Sequence, residues 1–336
     1  MPCYCWKAYW EFIRNLCVND YLCGKVMFQN SGHSDQEYKR RISAAMNFIS
    51  KNLFRNPSLE EIARAAHFSK FHFHRLFKAY TGETVAEFTR RIRLEQAINL
   101  LCYHPGKNIT DIAFDCGFSS SQNFAKQFAK RFGVSPSQFR QNHLLQKDPI
   151  GIKEHPSPST EFSFPLTSGN HPPSKEESIP RLQVDMQSQS AFEIAYMRFI
   201  GPYQSDVTHG YISRLIEVLT THQMEKRPII GVAWDNPDVT PVEKCRYDIG
   251  ILVKSDERIP EALSIQELPA GDYAVYHCEV SDNDLERPWD DFIRYWLPSS
   301  GYILSGSPGY EVFHEYDLVD PTTPWIMELC LPLVPL

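Results

Sequence analysis

Two passages of the chain repeat one another in their apolar positions. Residues 58–90, SLEEIARAAHFSKFHFHRLFKAYTGETVAEFTR, align with residues 108–140, NITDIAFDCGFSSSQNFAKQFAKRFGVSPSQFR. Ile62 and Ala63 fall on Ile112 and Ala113, and Phe73, Phe77, Gly82 and Phe88 fall on Phe124, Phe128, Gly133 and Phe139. Each passage predicts a short helix, a tight turn and a second helix. In the first, Ser69 is the expected N-cap, its hydroxyl accepting from the free amides of the first turn, and Gly82 ends the helix in a left-handed conformation. Phe73, Leu76, Phe77 and Tyr80 recur at i, i+3, i+4 and i+7 and form the buried stripe. Phe71, His74, Arg75 and Lys78 share the opposite face, with His72 at its margin. The equivalent helix buries Phe124, Phe128 and Phe132 and turns Ser121, Gln122, Asn123, Lys126 and Lys130 outward.

The pattern changes after residue 147. Residues 148–180 are crowded with Pro, Ser and acidic residues and carry no sustained period, which reads as a flexible linker. Beyond it the apolar positions alternate. FEIAYMRFIGPY, a helix GYISRLIEVLTTH, PIIGVAWDNP and CRYDIGILV are followed by SIQELPAGDYAVYHCEV, a helix ERPWDDFIRYWLP, GYEVFHEY and WIMELCLPL. Strand, helix, strand, strand therefore occurs twice, predicting two copies related by a pseudo-twofold with a groove between them. The expected organisation is an N-terminal extension (1–34), an all-α double helix-turn-helix domain (35–147), the linker (148–180) and an α+β domain (181–336). Within the extension, Trp6, Tyr9, Trp10, Ile13, Leu16 and Cys17 lie at helical spacing; a native start near Met27 fits the sequence equally well.

Charge divides along the same boundary. The chain's net charge of −7 conceals 18 Lys and Arg against 9 Asp and Glu in residues 35–147, and 11 against 25 in residues 181–336. A basic and an acidic half call for two kinds of partner, one polyanionic and one cationic. No apolar run approaches the ~20 residues of a membrane span and the N-terminus lacks a secretory pattern, so the expected location is the cytoplasm, with no membrane partner. The nine cysteines include no CxxC pair and read as reduced, mostly buried thiols. His72 and His74 project about 200° apart on one helix, which removes them from a shared metal site. No metal and no cofactor are expected.

What remains on the outward helix faces suits DNA. Gln and Asn pair with adenine, Arg and Lys with guanine or phosphate, and apolar groups touch thymine methyls. The two units, the joining helix FTRRIRLEQAINLL and the terminal GVSPSQFR resemble the DNA-binding domain of AraC/XylS transcription regulators over roughly residues 36–144. The resemblance implies two recognition helices facing successive major grooves. By position its base-facing candidates are Phe71, His74 and Arg75 in the first helix and Ser121, Gln122, Asn123 and Lys126 in the second; Lys78 is a candidate for phosphate.

The acidic half carries YMRFIGPY, the WDNP turn, ELPAGDYAVYHCEV, a helix ending YWLP and PGYEVF, and resembles the GyrI-like effector-binding domain of Rob-type and multidrug-sensing regulators. In such domains aromatics line a groove around a partly buried carboxylate. That role falls by resemblance on Glu311, with Trp234, Tyr276, Trp296 and Phe313 around it. Ring faces attract positive charge, and a carboxylate in a dry cleft supplies a counter-ion. The expected protein is a one-component transcription regulator, an activator, that binds double-stranded promoter DNA and a small hydrophobic or cationic effector and works on RNA polymerase. Two other readings stand beside it: a GyrI-like hydrolase using Glu311 and Tyr276 as an acid–base pair, and a protein that only sequesters ligands.

Overall fold

The computed structural model describes residues 33–145, 182–203, 205–224, 226–237, 239–254, 256–280, 284–318 and 323–335. The helix expected in the N-terminal extension and the 148–180 linker lie outside the described residues. The chain divides into two compact units, residues 1–90 and 91–336, so the second helix-turn-helix shares a unit with the sheet.

The first unit comprises α1 (His33–Lys51), α2 (Leu59–Ala65), α3 (Lys70–Thr81) and the opening of α4 (Val85–Tyr103). Local chemistry sets the ends. Ser58 and Glu61 form a capping box at α2, and Thr84 and Glu87 bond reciprocally at the start of α4. Gly82, at φ 70°, ends α3 and donates its N–H to the Lys78 carbonyl. Ser69 does sit at the N-cap with extended backbone, but its hydroxyl makes no bond to the helix amides. It lies 3.2 Å from Nδ1 of His72, a ring nitrogen one turn along that competes with the backbone for the same hydroxyl. The predicted stripe is buried: Phe73 and Phe77 wholly, Leu76 nearly so, Tyr80 by half. Phe68, Phe73, Phe77 and Phe88 form a ladder of rings with centroids 5.5–6.3 Å apart.

In the second unit the remainder of α4 is joined by α5 (Ile109–Asp115), α6 (Ser121–Phe132) and α7 (Pro136–Leu145). Asn108 caps α5 and Ser120 caps α6, each accepting from the amide three residues on. Phe124, Phe128, Phe132 and Phe139 fill the interior with Leu94, Ile98 and Ile112.

The sheet contains β1 (Val184–Gln189), β2 (Phe192–Ile200), β3 (Ile229–Ala233), β4 (Arg246–Leu252), β5 (Ser264–Leu268), β6 (Gly271–Val280), β7 (Tyr302–Leu304), β8 (Tyr310–Glu315) and β9 (Trp325–Pro335). All its pairings are antiparallel, in the order β1-β6-β9-β8-β3-β4-β2-β5, with β7 added against β9. The expected repeat is present: β2, α8 (Ser205–Thr221), β3 and β4 form one copy, and β6, a helical passage, β8 and β9 the other. The copies meet where β3 pairs β8, and their strand orders mirror each other about that seam. The strand leading each copy pairs with the other copy: β1 with β6, β5 with β2. The helix of the second copy is irregular, with an α segment α9 (Arg287–Asp291), a π turn at Phe292–Trp296 and a 3-10 turn at Leu297–Ser299.

Strand parity gives the sheet two dissimilar faces. One carries Ile249, Phe313, Met327, Leu329 and Leu331 and packs with Ile212, Leu215 and Phe292 from the helices. The other carries Ile194, Tyr196, Val232, Tyr273, Val275 and Tyr310. β1 and β2 stand far apart along the strand path, yet only Ser190 and Ala191 separate them in sequence. The sheet therefore curls on itself, and Tyr310 reaches from β8 to Phe192 of β2, ring centroids 5.7 Å apart, and to Gln189 of β1.

Candidate recognition helices and effector site

On α3, His74, Arg75 and Lys78 are exposed, as predicted; the side chain of Phe71 lies outside the described residues. On α6, Gln122, Asn123 and Lys126 are exposed and Ser121 is half-buried, its hydroxyl 3.5 Å from the Gln122 amide oxygen. Among the described residues, Arg75, Lys78 and Lys126 are engaged in no ion pair, so their charge is available to an external anion. The repeat adds a residue that helical phase alone put at the margin. With the offset of 51, His72 is the counterpart of Asn123, and it is exposed.

The acidic half places Glu311 on the helix-covered face, opposite Gly231 on one side and Leu329 on the other. It is 8% exposed. Each carboxylate oxygen accepts one donor: Nε1 of Trp289 gives to Oε1 at 2.5 Å, and the Tyr247 hydroxyl gives to Oε2. Burial pushes the Glu311 carboxyl above its ordinary range, and the two hydrogen bonds only partly oppose that. Burial next to this carboxylate also raises the Tyr247 phenol well above its usual value. Gly231 makes the pair possible. A β-carbon at that position would overlap the Tyr247 hydroxyl and stand 3.0 Å from Oε2 of Glu311.

Around this buried acceptor stand aromatic side chains. Phe292 is wholly buried, with ring centroids 5.5 Å from Tyr276, 5.2 Å from Trp296 and 6.3 Å from Trp289. Tyr276, Trp289 and Trp296 are each half-buried. The arrangement is a buried carboxylate bonded to the half-buried Trp289, with the half-buried rings of Tyr276 and Trp296 joined to it through Phe292, which suits an organic cation or a flat apolar molecule.

Two of the predicted aromatics are elsewhere. Trp234 extends from the opposite face, because it is an odd number of residues from Gly231 along an alternating strand. Its indole N–H donates to Asp248 at 2.6 Å, and Arg198 lies 5.5 Å over its ring. Asp248 also accepts from Arg198 at 2.6 and 2.7 Å and from Gln266 at 2.7 Å. Phe313 shares the face of Glu311 but is fully buried against Trp325, centroids 5.6 Å apart, and serves as core. Tyr247 and Trp289, the two groups that do bond Glu311, are not among the residues expected around it. Tyr276, proposed as the acid–base partner of Glu311, stands two strands away; the tyrosine bonded to Glu311 is Tyr247.

Among the described residues no helix is long and apolar enough to cross a membrane. Residues 182–334 match the GyrI-like small molecule binding domain, and residues 62–142 match a helix-turn-helix domain. The DNA gyrase inhibitor of Yersinia enterocolitica is 34% identical over 125 residues, covering 36% of this chain and 79% of that protein. The DNA gyrase inhibitor of Serratia proteamaculans is 35% identical over 134 residues, covering 39% and 85% respectively. Among solved structures, a transcriptional regulator with an AraC-type DNA-binding domain from Chromobacterium violaceum is 27% identical, covering 32% of this chain and 94% of its own, with a TM-score of 0.30.

Proposed function

Because the chain belongs to the GyrI-like family and joins an AraC-type helix-turn-helix DNA-binding region to a small-molecule-binding domain, we propose that it is a cytoplasmic transcription activator whose effector is a small hydrophobic cation seated over Glu311. Residues His74, Arg75 and Lys78 of α3, with Phe71, and Ser121, Gln122, Asn123 and Lys126 of α6 contact the promoter. RNA polymerase is the partner through which the bound regulator acts. His72 joins the DNA-facing set through its equivalence to Asn123.

The observation that carries the effector reading is Glu311. A carboxylate buried among aromatic rings, with its acid form favoured by burial, gains most from a positive charge brought into the same dry space. Titration of the full chain with the cationic dye rhodamine 6G, followed by fluorescence anisotropy, tests this. Glu311→Gln keeps the shape and removes the charge, and a weakening of about tenfold or more, about 1.4 kcal/mol, is expected. Equal affinity in the two proteins contradicts the counter-ion role. Catalytic turnover of a small electrophile that disappears in the same variant would favour the hydrolase reading, with Tyr247 as partner.

A further inference from the structure

The segment between β3 and β4 leaves the sheet and enters the second helix-turn-helix. Val239 is buried in the cluster formed by Leu94, Ile98, Phe124 and Phe128. Nη2 of Arg131 donates to the Val239 carbonyl at 2.8 Å, and the Thr240 hydroxyl donates to Glu95 of α4. At the segment's start, Asp235 has no exposed side-chain surface. It accepts two bonds from the Arg246 guanidinium, at 2.7 and 2.8 Å, and one from the Arg246 amide at 2.7 Å. Arg91 of α4 lies between the two acids, with Nη1 3.1 Å from Glu95 and 3.4 Å from Asp235. Burial works to raise Asp235, but Arg246 and Arg91 more than offset it and hold its carboxyl low. Burial and the neighbouring Asp235 charge push Glu95 the other way. The two buried carboxylates thus share Arg91, with Asp235 held mainly by Arg246, and a displacement of Arg91 changes the balance at both.

The same segment is tied to the effector site from behind. The Tyr203 hydroxyl donates to the Arg246 carbonyl at 2.8 Å and accepts from the Asp235 amide at 3.2 Å, so it holds both ends of the segment. Its ring centroid is 5.4 Å from that of Tyr247, whose hydroxyl bonds Glu311. We infer that Asp235 couples the effector site to DNA binding through the contact path Glu311, Tyr247, Tyr203, Asp235, Arg91 and Glu95, by altering how Asp235, Val239 and Thr240 hold α4 and the second helix-turn-helix. A cation on Glu311 competes with the Tyr247 hydroxyl for Oε2. Because Tyr247 is packed against Tyr203, even a small shift on losing that bond presses on Tyr203, which bears directly on the backbone at Asp235 and Arg246. The inference rests on the reading of Glu311 as the effector's counter-ion.

Two measurements on the full chain test it. In the first, affinity for a duplex selected from a random pool by the wild-type protein is measured with and without rhodamine 6G. The wild type should respond by about fivefold or more, whereas Arg91→Gln, which leaves the Asp235–Arg246 pair intact, should respond by less than about twofold while binding dye normally without DNA. A wild-type response in Arg91→Gln overturns the path, as does a dye that binds the wild type and leaves DNA affinity unmoved. The second needs no ligand: amide exchange in residues 91–103. Tyr247→Phe should accelerate it in the wild-type background and not in Asp235→Asn. If Tyr247→Phe leaves those amides unchanged, the path is overturned whatever the dye does. If instead the dye binds Glu311→Gln as tightly as wild type, the effector reading fails and the exchange result still decides the path.

Discussion

Gly231→Ala should be among the most damaging single-methyl additions in the sheet. The new β-carbon would overlap the Tyr247 hydroxyl and lie 2.9 Å from Cζ of the same ring and 3.0 Å from Oε2 of Glu311. Tyr247 has little room to retreat, since it is 3% exposed and ring centroids of Tyr203 and Tyr211 stand 5.4 and 6.3 Å away. The hydrogen bond to a buried carboxylate is lost, which costs about 1.5–3 kcal/mol, and the crowding itself adds about 1–3 kcal/mol. Tyr247→Phe loses the bond without the crowding and should cost only the first amount. Because the methyl and the hydroxyl contend for one space, Gly231→Ala should be less harmful when residue 247 is already Phe, with a coupling of about 1 kcal/mol or more. Urea unfolding followed by tryptophan fluorescence measures all four proteins of the cycle. Strict additivity, or a Gly231→Ala protein within about 0.5 kcal/mol of wild type, would refute the reasoning.

The raised Glu311 carboxyl has two opposite consequences for pH. Rhodamine 6G affinity should fall as pH is lowered through the range above the ordinary glutamate value of 4.5, by up to about tenfold per unit, and Glu311→Gln should show a flat profile. The contribution of the same group to stability is fully present below that ordinary value and is lost as pH rises through the folded-state pKa; denaturation of wild type and Glu311→Gln across that range checks the sign. Arg75→Ala with Lys126→Ala should weaken binding to the selected duplex by about 2–6 kcal/mol in total, read by anisotropy; unchanged affinity would remove both helices from the interface. His74→Ala should change which base pairs are preferred, whereas Lys78→Ala should reduce affinity uniformly and lower the salt slope by about 1, both read from binding to a randomised duplex library.

Much of this was legible because it depends on short-range periods. The phase that buries Phe73 and Phe77 also exposes Arg75 and Lys78, and the repeat extends that phase to Phe124 and Lys126. Gly82 and Gly133 mark the ends of α3 and α6 because both take the left-handed conformation, at φ 70° and 73°. The doubled strand, helix, strand, strand plan likewise survived. What escaped depends on register across the seam between the copies. Glu311 and Tyr247 are 64 residues apart, and only the pairing of Gly231 with Glu311 brings them together. Trp234, expected around Glu311, lies with Asp248 on the other face for the same reason, since parity is decisive only once a reference residue is known. Tyr247 carried a usable signal: a tyrosine on the apolar side of CRYDIGIL needs a buried partner for its hydroxyl, and so does Glu311. The ion pair from Arg91 to Asp235 spans 144 residues and had no local signature.

The most direct test is the affinity of the full chain for its selected duplex as a function of rhodamine 6G concentration, in wild type and Glu311→Gln. A response in the wild type of about fivefold or more that is absent from Glu311→Gln at the same dye concentration is the predicted result. An equal response in both proteins would contradict it, because the dye would then control DNA binding from somewhere other than Glu311.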